Sequence, residues 1–213
     1  MKLISSAVFL VLFVYSGLCF ESQDILNAPA IPGSPHSDCP LFFPVSSKVI
    51  GTSNRSGLPI IFTEYTCNTT TSSLETPKLE PPREHSPILC QGDASCEYDT
   101  LCGIKFSCDS EPAPDMDLCW ELVEQNKDKD WDWAQTVGTG SAVSLHDCSI
   151  VFFNKAQFPL RMSQNRWMAR AAALMKSCQS LQHAGHGYCV ADNSNWTVQI
   201  FHVSSNATER ASS

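Results

Sequence analysis

Ten of the eleven cysteines lie beyond a segment that reads as a secretory signal, and this combination constrains the fold more than any other feature. Lys2 supplies a positive n-region, Leu3 to Tyr15 an apolar run, and Gly17 and Cys19 the small residues of a cleavage site before Phe20. Cleavage there removes Cys19 and leaves Cys39, Cys67, Cys90, Cys96, Cys102, Cys108, Cys119, Cys148, Cys178 and Cys189. An exported chain meets an oxidising compartment, so an even set of thiols predicts a disulfide framework. Each bridge would add about 2–4 kcal/mol by restricting the unfolded chain.

The mature chain of about 190 residues suits one domain with a leader and a tail. The apolar run of the signal is shorter than the roughly 20 residues of a membrane-spanning helix, and no later run reaches that length. The expected product is therefore secreted and extracellular, without a transmembrane segment. Asn54, Asn68, Asn195 and Asn206 each open an Asn-x-Ser/Thr sequon, which makes a glycoprotein of the chain in a eukaryotic host. Net charge is −8, one unit lower once Lys2 leaves. Nucleic-acid binding depends on neutralising phosphates, so an acidic chain without a basic stripe speaks against nucleic acid as a partner.

Composition shifts divide the chain. Residues 1–19 are the signal peptide. Residues 20–86 read as a Pro/Ser/Thr-rich leader containing a Cys39–Cys67 segment, whose apolar runs Leu41-Phe42-Phe43, Val49-Ile50 and Pro59 to Phe62 suit strands or a packed loop. A local Cys39–Cys67 bridge would close that segment. Asn68 to Pro87 reads as a solvated linker. Residues 87–203 read as the disulfide-rich domain and 204–213 as a polar tail.

Within the domain, Ile104 to Phe106 suits a strand, Asp115 an N-cap, and Met116, Cys119, Leu122 and Val123 one helical face that Lys127 to Asp130 ends. Trp131 to Val137 and Ala142 to Phe153 read as strands. Ser163 can cap a second helix, with Trp167, Ala171, Leu174, Met175, Cys178 and Leu181 as its apolar stripe. His183 to Tyr188 reads as a loop, and Trp196, Val198 and Ile200 alternate along a last strand. The expected fold class is α+β: a small disulfide-rich β-α-β-β-α-β sandwich, with an antiparallel sheet and two helices on one face. That layout gathers Cys108, Cys119, Cys148, Cys178 and Cys189 at one pole of the sheet without saying which pairs form.

Cys102 to His202 resembles the fungal Ecp-two-type extracellular effector domain, also called a necrosis-inducing-factor domain. The resemblance rests on Cys102-Gly103 with Phe106, on Asp117-Leu118-Cys119 with Leu122, and on a strand opened near Trp131 or Trp133. It also rests on Cys148 leading Ser149 to Phe153, and on Gly187-Tyr188-Cys189 before Trp196 to Phe201. Cys108, Cys178 and everything before Cys102 fall outside the family pattern. A weaker similarity joins Cys90-Gln91-Gly92-Asp93-Ala94-Ser95-Cys96 to the Cys-x-Gly-x-x-x-Cys of small fungal killer toxins. The resemblance implies a secreted, non-enzymatic fungal effector or toxin-like virulence protein. It would need no cofactor and would act on a host-surface or competitor-cell target, by host cell death or killer-toxin-like action.

His183, His186 and Cys189 have the spacing of a zinc clamp, opposed by the disulfide expected at Cys189 and by the lack of a fourth ligand. Asp128, Asp130 and Asp132 interleave with Trp131 and Trp133, which suits glycan stacking or glycosidase carboxylates. A charge run at a helix exit entering a strand, with Trp131 and Trp133 on one strand face packing into the core, explains them at lower cost, and a secreted carbohydrate-binding protein is the alternative function. His146-Asp147 beside Ser144 and Ser149 suggests a triad only by adjacency. Gly138-Thr139-Gly140 lacks the Lys of a phosphate loop. Arg161, Arg166, Arg170 and Lys176 around the second helix would permit peripheral membrane contact. The expected catalytic, cofactor and metal residues are none.

Overall fold

A computed structural model describes residues 28, 30–32, 39, 41–67, 102–109, 113–129, 131–182 and 186–203. The signal, most of the leader, the linker, Cys90, Cys96, Asn68, Asn206, His183 and the tail lie outside these residues.

The chain is α+β, built on one antiparallel sheet with two helices against it. Cys148–Asn154, here β7, shows why the sheet sits at the centre: every residue of it is buried. A continuous apolar run without alternation is what a strand covered on both faces requires. Cys148, Ile150 and Phe152 enter one core, while Val151 and Phe153 enter a second core on the opposite face. The other strands are β1 (Ile31–Pro32), β2 (Leu41–Thr52), β3 (Pro59–Cys67), β4 (Cys102–Asp109), β5 (Asp132–Gln135), β6 (Thr139–Leu145), β8 (Leu160–Ser163), β9 (His186–Ala191) and β10 (Trp196–His202). Eight of them form the sheet in the order β1-β2-β3-β6-β7-β10-β9-β4, and β5 and β8 make a separate two-stranded ribbon.

Helix α1 (Met116–Asn126) starts where Asp115 caps it, Oδ1 accepting from the N–H of Asp117 at 2.9 Å. Helix α2 (Gln164–Gln182) follows β8 directly. Ser163 stands directly before it, and its hydroxyl donates to Asn165 Oδ1 at 2.9 Å. The predicted helical stripe is core, with Trp167, Ala171, Met175 and Cys178 wholly buried beside Cys119, Leu122 and Val123 of α1. Trp196, Val198 and Ile200 of β10 meet them from the sheet. Both helices therefore cover one face, as the pattern required.

Four readings need correction. Ala142 to Phe153 is not one strand: His146-Asp147 form a two-residue turn between β6 and β7, and His146 takes φ 54° to close it. The strand expected from Trp131 is the short ribbon strand β5, which pairs with β8 outside the main sheet. The loop expected from His183 continues as β9, paired to β10 and β4. The Cys39–Cys67 segment is not a leader apart from the domain. It is a hairpin whose β3 pairs with β6 from Ile60↔Leu145 to Thr66↔Thr139, so the boundary drawn at residue 86 cuts through one sheet.

Three disulfides tie the layers. Cys39–Cys67 closes the base of the hairpin, Cys108–Cys178 joins β4 to α2, and Cys119–Cys148 joins α1 to β7. Cys189 is disulfide-bonded as well.

Two glycines record close approaches. Gly140 leaves room for the Phe153 ring, which a methyl there would meet at 2.7 Å, and that ring stacks on Phe42 at 4.3 Å between centroids. A methyl on Gly187 would lie 2.1 Å from the carbonyl oxygen of Ser107 in β4. That neighbour is backbone, held at the sheet edge by Cys108–Cys178, so it yields only if β4 parts from β9. Gly187→Ala is expected to cost about 1–3 kcal/mol by overpacking. An unchanged urea midpoint would show that the edge accommodates the methyl freely.

Candidate functional site

The residues singled out by chemistry mostly prove to be scaffold. Trp133 lies against Phe62 (6.4 Å) and Trp167 (5.3 Å), and its Nε1 donates to Gln135 Oε1 at 3.0 Å. Trp131 stands just before β5, with the Lys129 ammonium 5.2 Å from its ring centroid. Of the two tryptophans expected on one strand face, Trp133 is partly buried against the core and Trp131 lies before the strand under a lysine. Burial lowers the Lys129 pKa. Gln135 also accepts from Ser141 Oγ at 2.6 Å and donates to Thr139, while Asn154 Nδ2 donates to the Gln135 carbonyl at 2.8 Å. Those bonds fasten the β5–β8 ribbon to the main sheet.

Ser144 and Ser149 face each other across β6 and β7, and their hydroxyls share a hydrogen bond of 2.9 Å. His146 Nδ1 lies 3.4 Å from Asp147 Oδ1, and His202 Nε2 lies 3.7 Å from Asp147 Oδ2. Asp147 Oδ2 also accepts the N–H of Asp115 at 3.1 Å, and the Asp147 carbonyl accepts from Val203 at 2.8 Å. Asp147 therefore clasps the start of α1 to the end of β10, while the serines bond each other, an arrangement of fastenings rather than a triad.

His186 is buried in β9, and the disulfide at Cys189 removes the thiolate that the zinc reading needed. Among the described residues no group of three His, Cys, Asp or Glu side chains could hold a metal ion, and no helix is long and apolar enough to cross a membrane. Gly138 takes φ 68° in a turn, and its carbonyl accepts from the N–H of Cys67 at 3.0 Å. Burial pushes the Tyr65 phenol up to about 12, against a hydrogen bond with Thr63, so it stays protonated near neutrality. Asn54 is exposed at the hairpin tip, whereas Asn195 is half-buried and Thr197 of its sequon is wholly buried.

The hairpin carries what the sequence did not announce. Among the described residues six large hydrophobic side chains are exposed, and five of them, Leu41, Phe43, Val45, Val49 and Leu58, belong to β2 or the turn that follows it. The tip is held by Glu121 of α1, a residue only 6% exposed. Glu121 Oε1 accepts from Ser53 Oγ, the N–H of Arg55 and Gln125 Nε2, each at 2.8 Å. Partners 66 and 68 residues away in the chain leave no local signature, and only a carboxylate on a mostly apolar helix face hints at them.

Burial works to raise the Glu121 pKa, but the Arg55 N–H, the Ser53 hydroxyl, the Arg55 charge and the Gln125 amide together lower it. A depressed carboxyl pKa stabilises the fold above its unfolded value of 4.5, and that contribution is lost as pH falls through the folded value. The urea midpoint is expected to drop between pH 5 and pH 3 by less in Glu121→Ala than in the wild type. Parallel pH profiles would show that Glu121 does not hold the tip.

The chain was compared with models of protein families, with curated proteins and with solved structures, and none of the three gave a match.

Proposed function

We propose that this chain is a secreted, non-enzymatic interaction protein, an effector or toxin-like module that acts by binding a host-surface or competitor-cell target. The observation that carries this reading is the concentration of exposed apolar side chains on one hairpin of an acidic, disulfide-fastened sheet. An apolar surface anchored at its base by Cys39–Cys67 and at its tip by Glu121 is a preorganised contact surface, and preorganisation lowers the ordering cost of binding. Cys119, Cys148 and Cys189, three of the cysteines that carry the resemblance to the effector domain, are all disulfide-bonded. The carbohydrate-binding alternative draws less support, because Trp133 is partly buried against the core and Lys129 sits over Trp131.

The test is application of the purified, oxidised protein to plant tissue and to cultured fungi and bacteria. Dose-dependent cell death or growth arrest is expected from the native form and not from reduced, alkylated protein. Turnover of a hydrolase substrate, or silence in every organism tried, would contradict the reading.

A further inference from the structure

Among the described residues, the outer edge of β2 is unpaired over most of its length. β1 covers it only at Leu41 and Phe42. From Phe43 to Thr52 no described strand pairs with that edge. Bare edges invite pairing with other chains, and this one carries devices that restrict it. Pro44 has no N–H to offer. Val45 and Ile50 are extra residues in β-bulges, at the register shifts between Pro44 and Ser46 and between Val49 and Gly51. Between the bulges lies the regular stretch Ser46–Val49.

The side chains of this stretch are already arranged. Ser46 donates to Glu64 at 2.6 Å, Ser47 and Thr63 share a buried hydrogen bond of 3.0 Å, and the Lys48 ammonium lies 5.3 Å from the Phe62 centroid. Val49 is 46% exposed on one face of the sheet, and Phe43 is 37% exposed on the other. Apolar surface on both faces of an open edge fits an occupant lying in the plane of the sheet.

We propose that the β2 edge from Ser46 to Val49 is a strand-addition site for an extended segment of a partner protein, one carrying a carboxylate opposite Lys48 among β-branched or aromatic residues. Lys48 is the only charged residue between Leu41 and Thr52, so it selects an acidic ligand. A second copy of this chain is disfavoured, because its Ser46–Val49 stretch carries no carboxylate to set opposite Lys48. A lipid surface is disfavoured because hydrocarbon would strip water from the open backbone groups without replacing it. This assignment rests on the interaction-protein reading and names its contact and partner chemistry.

A phage-displayed random heptapeptide library panned on the full oxidised chain tests it. The enriched peptides should carry Asp or Glu within a run of β-branched or aromatic residues. The synthetic form of the strongest should bind at least about tenfold more weakly to Lys48→Glu and to Val49→Asp. Replacing its acidic residues by Lys should restore binding to Lys48→Glu. Should either variant misfold by circular dichroism, the wild type decides: bound peptide must slow hydrogen exchange at the amides of Ser46 to Val49. No enrichment, binding indifferent to both substitutions, unprotected β2 amides, or displacement of the peptide by phosphatidylserine vesicles would each overturn the proposal. Cell responses preserved in well-folded variants would remove the edge but keep the interaction reading, whereas silence of the wild type would remove that reading itself.

Discussion

Trp167→Ala is expected to destabilise the protein by about 3–5 kcal/mol, the range for deleting a buried aromatic side chain without collapse of the site. Trp167 is 0% exposed, sits on the first half of α2, and touches Trp133 of the β5–β8 ribbon at 5.3 Å. Its loss would empty the place where α2, the ribbon and the sheet meet. Among the described residues the Nε1–H has no hydrogen-bond partner. Trp167→Phe should therefore recover much of the stability that Trp167→Ala loses, because it removes an unpaired buried donor along with part of the ring. Thermal and urea denaturation of the two variants check this. Equal losses would mean that the indole nitrogen has a role this packing does not explain.

The second large effect belongs to Cys119–Cys148. Both residues are 0% exposed, and the bridge spans 29 residues between α1 and the central strand. The Cys119→Ala, Cys148→Ala double variant is expected to lose about 2–5 kcal/mol. Its position also predicts a kinetic signature. Limited dithiothreitol should reduce Cys108–Cys178, whose Cys108 is half-buried, before it reaches Cys119–Cys148, because thiolate attack needs access to a sulfur. Quenching with iodoacetamide and locating the label measures the order. Simultaneous labelling of all four cysteines would indicate that the core opens as a unit.

What was legible in the sequence depended on whether a segment answers to one layer or to several. The helices were readable because each packs one face on the sheet: Cys119, Leu122 and Val123, then Trp167, Ala171, Leu174 and Cys178, recur at helical spacing. The alternation of β10 was readable because its Trp196, Val198 and Ile200 face the helices. The split between β6 and β7 was hidden, since β7 is apolar on both faces and the turn uses His146 instead of Gly or Asn. β9 was hidden by Gly187, which reads as a loop signal but is required by the backbone of β4 pressing against it. The hairpin was half visible: two bulges in β2 break the period-2 pattern that marks a strand. The Cys39–Cys67 bridge followed from chain proximity, while Cys108–Cys178 and Cys119–Cys148 came only with the topology that juxtaposes their strands and helices. Of the exposed apolar surface on the hairpin, the residues were visible and their exposure was not, because exposure depends on which strand ends the sheet.

Disulfides fasten the chain around a single sheet that includes the β2–β3 hairpin. Non-reducing peptide mass mapping of the protein collected from culture medium tests it most directly. The account predicts three cross-linked peptide pairs, Cys39 with Cys67, Cys108 with Cys178 and Cys119 with Cys148, and no label at these six residues before reduction. Free thiols at these positions, or Cys39 joined to a cysteine other than Cys67, would contradict it.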